Sequence, residues 1–407
     1  MKLTMRMAWR NLGRNRRRSA ITAAAVSFAL FFAILIRSLQ LGIYGHMIET
    51  VVGGMAGYIQ VADSSYWPSQ NIDVSLPEDP EWLESIRQDD RVAGASPRLS
   101  GFTLLSYRTE SSVAQWTGVD FSSEDPGYWS SRLITGSLRT EQSAAGPYPV
   151  WLGRYLAEGL HVQIGDTLVG MGQGYQGSLA NDLMIVAGTL RLGNPELEKR
   201  VAILRLVDAQ AFSGAYGMWG TVLVTPENPS KSMQIAPSLA HDHPLPFASW
   251  SSWEERMPEL QQAIQADSAG GIVILGILYV VISFGLLGTM IMLANERKRE
   301  FTMQIALGVK RRVLALMVFT EALLLGLVGA IVGALMGRSV VYYFHRNPLR
   351  LLGEIADAME QQGWEPVLPP SLDWSITATH GGIVILITLL ASLWPIYSVY
   401  KSPAIQR

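Results

Sequence analysis

The chain has no cysteine among its 407 residues. That removes disulfides, thiol nucleophiles and cysteine-ligated zinc or iron–sulfur centres. Charge is also scarce. Charged residues make up 16% of the chain, against roughly 25% in an ordinary soluble domain. The formal net charge is −2, so there is no basic excess to meet a phosphate backbone, and nucleic acid is not an expected partner. No H-E-x-x-H, G-x-S-x-G or Walker A motif occurs. No catalytic residue is therefore expected, and no nucleotide site in this chain. Histidine is sparse, and the one close pair is His241 and His243 in "HDH". Pro244 and Pro246 follow and mark a loop, and no third ligand is evident, so the pair reads as a surface loop and no metal site is expected.

What the sequence does have is apolar length, with 49% apolar residues. A bilayer core needs about 20 apolar residues in a helix. Four stretches supply them: residues 19–45, 269–294, 313–338 and 375–399. Arg37 lies in the first and His380 in the fourth. Lys and Arg crowd residues 1–18, 295–312 and 400–407, and an even number of spans puts these three segments on one side. By the positive-inside rule that side is the cytoplasm. Residues 46–268 and the loop 339–374 then lie outside. Lys2, Arg6, Arg10 and Arg14 recur every four residues, which suits a short helix along the inner leaflet within residues 1–18. The basic start and apolar run are read as an uncleaved anchor.

The external segment reads as a mixed α+β domain. Strand-like runs fall at 57–62, 101–108, 112–119, 183–190, 201–206 and 220–226. Helical runs fall at 79–88, 152–160, 207–214 and, from Ser251 or Ser252, up to 266. Eight tryptophans lie in this domain. They are read as core, with a contact surface for lipid or a partner as the alternative. Trp364, Trp374 and Trp394 sit near span ends, where aromatic belts form. Pro395 is expected to end or kink the fourth span.

Two features in the later spans ask for a purpose. "NERKREFTMQIALGVKRR", residues 295–312, packs eight charges between two apolar stretches. In a short helix there, Phe301 and Ile305, with Met303 or Ala306, give an apolar face, and Gly308 gives a stop. Arg297, Arg299 and Glu300 offer ion pairs at its edge, the anatomy of a docking site. The third span carries Gly329, Gly333 and Gly337 at four-residue spacing. Such a strip lets a helix approach closely, either the second or fourth span or a partner chain. It also carries Glu321, expected to snorkel or to pair with Arg312 or another nearby cation rather than to relay protons.

The peptide 296–312 resembles the cytoplasmic signature of FtsX-like and MacB-like permeases of ABC transporters. Glu296, Arg297, Glu300, Ala306, Gly308 and the run from Lys310 to Arg312 take its places. "AWRNLGRNRRRSAIT" (8–22) is similar to the family's opening and "SLWPIYSVYKSPAIQR" (392–407) to its close. The order of one span, a large domain and three spans agrees.

The resemblance implies a fold of four transmembrane helices with a MacB-like periplasmic domain after the first. It implies that 295–312 is a coupling helix docking on a cytoplasmic ABC ATPase dimer, with ATP and magnesium held by that partner and no cofactor in this chain. It implies a second permease subunit, identical or homologous, membrane lipids as neighbours, and a bacterial inner-membrane location with both termini cytoplasmic. Motion of the long helices would work the external domain, a process called mechanotransmission. "VAGTLRLGNPELEKRVAILRL" (186–206) is similar to a stretch of lipoprotein-releasing permeases of the LolC and LolE type. That points to lipoproteins or lipids drawn from the outer leaflet. Control of a periplasmic partner, and drug or peptide efflux with an adaptor, stay open.

Overall fold

A backbone surrounded by hydrocarbon has to satisfy its own hydrogen bonds, and the four apolar runs do so as helices. The computed structural model describes residues 16–124, 126–138, 147–361 and 366–401. The inner-leaflet helix expected within 1–18 falls almost wholly outside these residues, as do Trp364 and the tail beyond Lys401. The four long helices are Arg16–Ile48, Pro258–Ala306, Arg311–Arg346 and Trp374–Lys401. Each holds a window long and apolar enough to cross a membrane.

Each helix also overshoots the boundaries that hydropathy suggests. Hydropathy marks only the apolar stretch, whereas helical hydrogen bonding continues until a breaker stops it. The second helix has 49 residues, roughly 74 Å at 1.5 Å per residue. Residues 295–306 are therefore not a separate short helix, as the sequence suggested, but the end of this one. No Gly or Pro interrupts them, and the first breaker is Gly308, at φ +92°. The fourth helix likewise passes through Pro395 to Lys401. The proline does not end it, because a helix among apolar neighbours has no better place for its remaining carbonyls.

The chain divides into two units: Met1–Gly45, Ala263–Arg350 and Val367–Arg407 form one, His46–Gln262 and Leu351–Pro366 the other. In the first unit the glycine strip of the third helix meets the first helix, not the second or fourth. A Cβ on Gly329 would come within 2.6 Å of the Val26 side chain, and one on Gly333 within 2.5 Å of the Ser27 carbonyl. At Gly337 the nearest atom is Ile34 Cβ, at 3.2 Å. Ser27 Oγ donates to the Gly329 carbonyl at 2.9 Å. The small β-branched and hydroxyl residues of the first helix fit this groove. The fourth helix takes the neighbouring face, where Gly326 lies against Thr388.

The second unit is built on a large sheet. Its strands are β1 (Ile59–Asp63), β2 (Val92–Tyr107), β3 (Glu110–Val119), β4 (Leu133–Gly136), β5 (Tyr148–Gly153), β6 (Thr167–Gln173), β7 (Leu179–Leu190), β8 (Val201–Arg205), β9 (Thr221–Pro226) and β10 (Ala248–Ser252). The order is β10-β1-β9-β2-β3-β8-β5-β7-β4, with β6 pairing both β2 and β7. Those last two pairings close a ring, β2-β3-β8-β5-β7-β6, which leaves none of its six strands an open edge there. Alternate residues such as Leu99, Leu105, Trp116, Leu152, Leu168 and Met184 enter one core. Trp129, Trp151, Leu190 and Ile203 form a second. Six of the eight tryptophans, at 82, 116, 129, 151, 219 and 253, are buried.

After the first long helix a π-helix runs from Glu49 to Ala56 and ends at Gly57, φ +81°. Its carbonyls are held from the sheet. Arg98 of β2 donates through Nη1 to Met55 at 2.9 Å and through Nη2 to Gly54 at 3.1 Å. Its Nε and Nη2 also grip both oxygens of Glu124, at 2.9 and 3.0 Å. Trp129 Nε1 and Ser96 Oγ complete the carboxylate's partners. A second polar cluster joins Asp89, Arg91, Asp242 and His243. Hydrogen bonds from Arg91 hold the Asp89 carboxyl well below its ordinary range, against a burial effect that acts the other way, and His243 adds to the lowering.

Replacing Arg98 by Met leaves the Glu124 carboxylate uncompensated and frees two π-helix carbonyls. We expect a loss of about 3–5 kcal/mol, read as the unfolding midpoint of the full chain by Trp fluorescence; a shift no larger than a surface control would refute it. Because the folded-state pKa of Asp89 is depressed, its stabilisation is complete above the unfolded carboxylate value of about 4 and fades as pH falls below that. Asp89→Asn should therefore lower the midpoint at pH 7 and flatten the acid limb of the pH–stability curve. An acid limb as steep as that of the wild type counts against the assignment.

Candidate coupling site between the second and third long helices

The site begins with how a helix that has outrun its membrane span is stopped. Gly308 N donates to Ile305 O and Val309 N to Gln304 O, both at 3.0 Å. That pair of bonds, with glycine in the left-handed region, is a Schellman ending. Lys310 then caps the third helix from an extended conformation.

Helical periodicity sorts the residues of 295–306 into stripes. Arg297, Phe301 and Ile305, four apart, face the chain's own third helix. Phe301 is only 3% exposed and packs with Leu314, Met317 and Val318, while Ile305, Val309 and Ile396 close the cluster. The apolar docking face read from the sequence is thus largely spent on internal packing. Arg297, offered as an edge charge, is 6% exposed. Its Nη1 meets Glu321 Oε2 at 2.6 Å, Nε lies 3.5 Å from Glu300, and the guanidinium sits 5.8 Å from the Phe301 ring centre. The partner of Glu321 is therefore Arg297, and Arg312 is exposed. Continuity of the second helix decides this, by placing residue 297 beside the third helix. Arg311 donates to the Tyr400 carbonyl and ties the start of the third helix to the end of the fourth.

What remains outward is a different stripe. Arg299, Met303 and Leu307 are again four apart; Met303 is 60% and Leu307 80% exposed. Glu296, Lys298, Ala306, Gly308 and Lys310 are exposed around them, and Glu300 is half-buried at the margin. The outward surface is a small apolar ridge among charges. Leu307 was missed in the sequence because a residue next to a glycine stop looks like turn rather than face.

Two further polar positions are accounted for by packing. His380 is buried, with Nδ1 2.5 Å from Tyr279 Oη, joining the fourth helix to the second. His243 has Asp89 Oδ2 at 3.1 Å from Nε2 and Ser85 Oγ at 3.1 Å from Nδ1. His241 points to solvent, and the described residues contain no group of three candidate metal ligands.

The family model described as the FtsX-like permease C-terminal region matches residues 272–404. The model described as the MacB-like periplasmic core domain matches residues 19–236. Among solved structures, the extracellular domain of the noncanonic ABC-type transporter YknZ from Gram-positive bacteria is 15% identical, covering 48% of this chain and 98% of its own, at a TM-score of 0.33. The periplasmic region of MacB from Actinobacillus actinomycetemcomitans is 11% identical, covering 53% of this chain and 95% of its own, at a TM-score of 0.36. No curated protein matches.

Removing Glu321 leaves the buried Arg297 guanidinium with only the longer contact to Glu300, at 3.5 Å. Glu321→Ala should lower the thermal midpoint of the detergent-solubilised chain strongly, by the equivalent of about 3–5 kcal/mol. Pairing it with Arg297→Met should restore much of the loss. A double variant no more stable than Glu321→Ala would show that the pair is not a unit.

Proposed function

Because the chain belongs to the FtsX-like permeases with a MacB-like periplasmic core domain, we propose that it is the membrane subunit of an ATP-driven transporter that grips a separate ABC ATPase through residues 295–312. The family forms the permease part of ABC transporters and works with ATPases on separate subunits. The observation that carries the reading is the second long helix, which is unbroken from Pro258 and ends in an outward ridge of Arg299, Met303 and Leu307. An apolar centre ringed by Glu296, Lys298, Lys310 and Glu300 is what a protein groove would accept. An unbroken helix moves as a rod, so displacement at the ridge travels along its length without a joint to absorb it.

In this reading the ridge lies in the cytoplasm of a bacterial cell, the ATP and magnesium belong to the partner, and residues 46–268 lie outside. A second permease completes the assembly, because an ATPase dimer has two grooves. The second helix supports this: Val273, Ile277, Val280, Val281 and Phe284 are all exposed, and it is the least buried of the four spans. Lipoproteins or lipids taken from the outer leaflet are the proposed cargo, on the strength of the 186–206 similarity. In that stretch Asn194 caps the turn Pro195–Glu198, and Glu198 accepts from Leu192 N and Gly193 N.

One observation favours a second reading, control of or docking to a periplasmic protein. Phe102, Leu104, Val113 and Met171 are exposed on neighbouring strands, with Leu104 opposite both Val113 and Met171. That is an apolar patch on the outside of the strand ring. Complexes held by a hydrolysis-dead ATPase decide between the two by mass spectrometry. An enriched acylated species supports cargo extraction; a bound soluble protein with no lipidated species supports the second reading.

Docking itself is tested on the ridge. Leu307→Asp together with Met303→Asp should abolish co-purification of the ATPase, with the wild-type thermal midpoint retained. Phe301→Asp should instead lower the midpoint, since Phe301 faces inward. Unchanged ATPase association in the ridge variant would remove residues 295–312 from the coupling role.

A further inference from the structure

Arg37 is a guanidinium near one end of an apolar helix without an acid to meet it. Nη1 donates to Gln40 Oε1 at 2.7 Å and lies 3.4 Å from Ser268 Oγ. Among the described residues no carboxylate comes within ion-pair distance of Arg37, and Nε and Nη2 make no hydrogen bond. Asp267, the neighbour of Ser268, is held by Gln40 Nε2 at 3.2 Å and by Tyr44 Oη. A guanidinium has five N–H donors in a planar fork suited to an oxyanion. Near a helix end such a guanidinium reaches the depth of the lipid phosphates, and its free donors suit one.

Arg37 lines a crevice of about 420 Å³ between the first, second and fourth long helices. Its other walls divide by polarity. Ser375 and Thr379 are polar, Tyr279 and His380 spend their polar atoms on each other, and Ile272, Leu275, Ile376 and Ile383 are apolar. Ser375 and Ile383 are eight helical steps apart, roughly 12 Å of depth. Trp374, next to Ser375, is 70% exposed and carries the Arg338 guanidinium 3.8 Å from its ring centre. An exposed Trp beside a cation marks the interfacial layer of a bilayer. The crevice thus runs from headgroup depth into hydrocarbon depth, with its cation at the headgroup end.

We propose that this crevice holds a single glycerophospholipid from the leaflet at the Arg37 end, its phosphate on Arg37 and one acyl chain along Ile272, Leu275, Ile376 and Ile383. A free phosphate would leave the apolar walls unused, and a neutral acyl chain would leave the guanidinium unmet; only an anion joined to a chain satisfies both. The volume is at the lower end for ligand sites, so the remainder of the lipid lies in the bilayer. The bound lipid joins three helices of one chain, and this does not depend on what the protein transports.

The test is native mass spectrometry of the full-length chain, purified in mild detergent, supplied with phosphatidylglycerol and washed in steps. The wild type should retain one phospholipid per chain. Arg37→Gln should lower retention about tenfold, the worth of a charge-assisted contact, and Arg37→Lys should keep most of it. Thr379→Trp, at an exposed position on the crevice wall, should also lower retention with Arg37 intact, and decides the matter if Arg37→Gln aggregates. The proposal is overturned if Arg37→Gln or Thr379→Trp retains lipid like the wild type. It is equally overturned if inorganic phosphate displaces the ligand, or if the retained molecule is a phosphate-free lipid or an acylated polypeptide.

Discussion

A guanidinium and a carboxylate that both sit out of water have to meet, and the meeting of Arg297 with Glu321 organises the junction between the second and third long helices. The pair pins the end of the second long helix to the third at 2.6 Å. Once that contact is made, the rotational setting of residues 295–306 follows. Phe301 and Ile305 share the stripe of Arg297 and turn inward, and Arg299, Met303 and Leu307 are left outside. A buried pair of this kind adds little net stability over an apolar one, but it tolerates few alternative registers. Specifying which face points out is what a docking surface requires.

Close helix approach is the second constraint. Glycines at 329, 333 and 337 let the third helix lie against Val26, Ser27 and Ile34 of the first, and Gly326 lets it lie against Thr388 of the fourth. The third helix is accordingly the most buried of the four spans and the second the least. The second helix touches the other three along one side only, through Leu286, Met290 and the Arg297 pair, and leaves its other side open.

In the domain, ring closure of six strands does the work that a large flat sheet could not. It removes edges from β2, β3, β5, β6, β7 and β8 and gives Trp116 and Trp151 enclosed positions. Much of this was legible. The strand-like runs at 101–108, 112–119, 183–190 and 201–206 fall in β2, β3, β7 and β8. β4 and β5 were not read as strands, because "LITG" is only four residues long and "YPVWLG" runs straight into a helix. Pairing between distant segments, not local propensity, makes them strands.

The sequence by itself determined that four apolar runs become helices, that a mixed domain follows the first, and that a charged peptide sits between two spans. Hydropathy, charge and spacing are local properties, and they suffice for these. Only the tertiary structure decided that the glycine strip faces the first helix, that Glu321 pairs with Arg297, and that Phe301 is core while Leu307 is surface. The physical reason is common to all three. A helix advertises its stripes in its sequence, but which stripe is buried depends on the neighbour it meets and on where the helix stops. Gly308 sets the stop, and contacts between residues far apart in the chain set the rest.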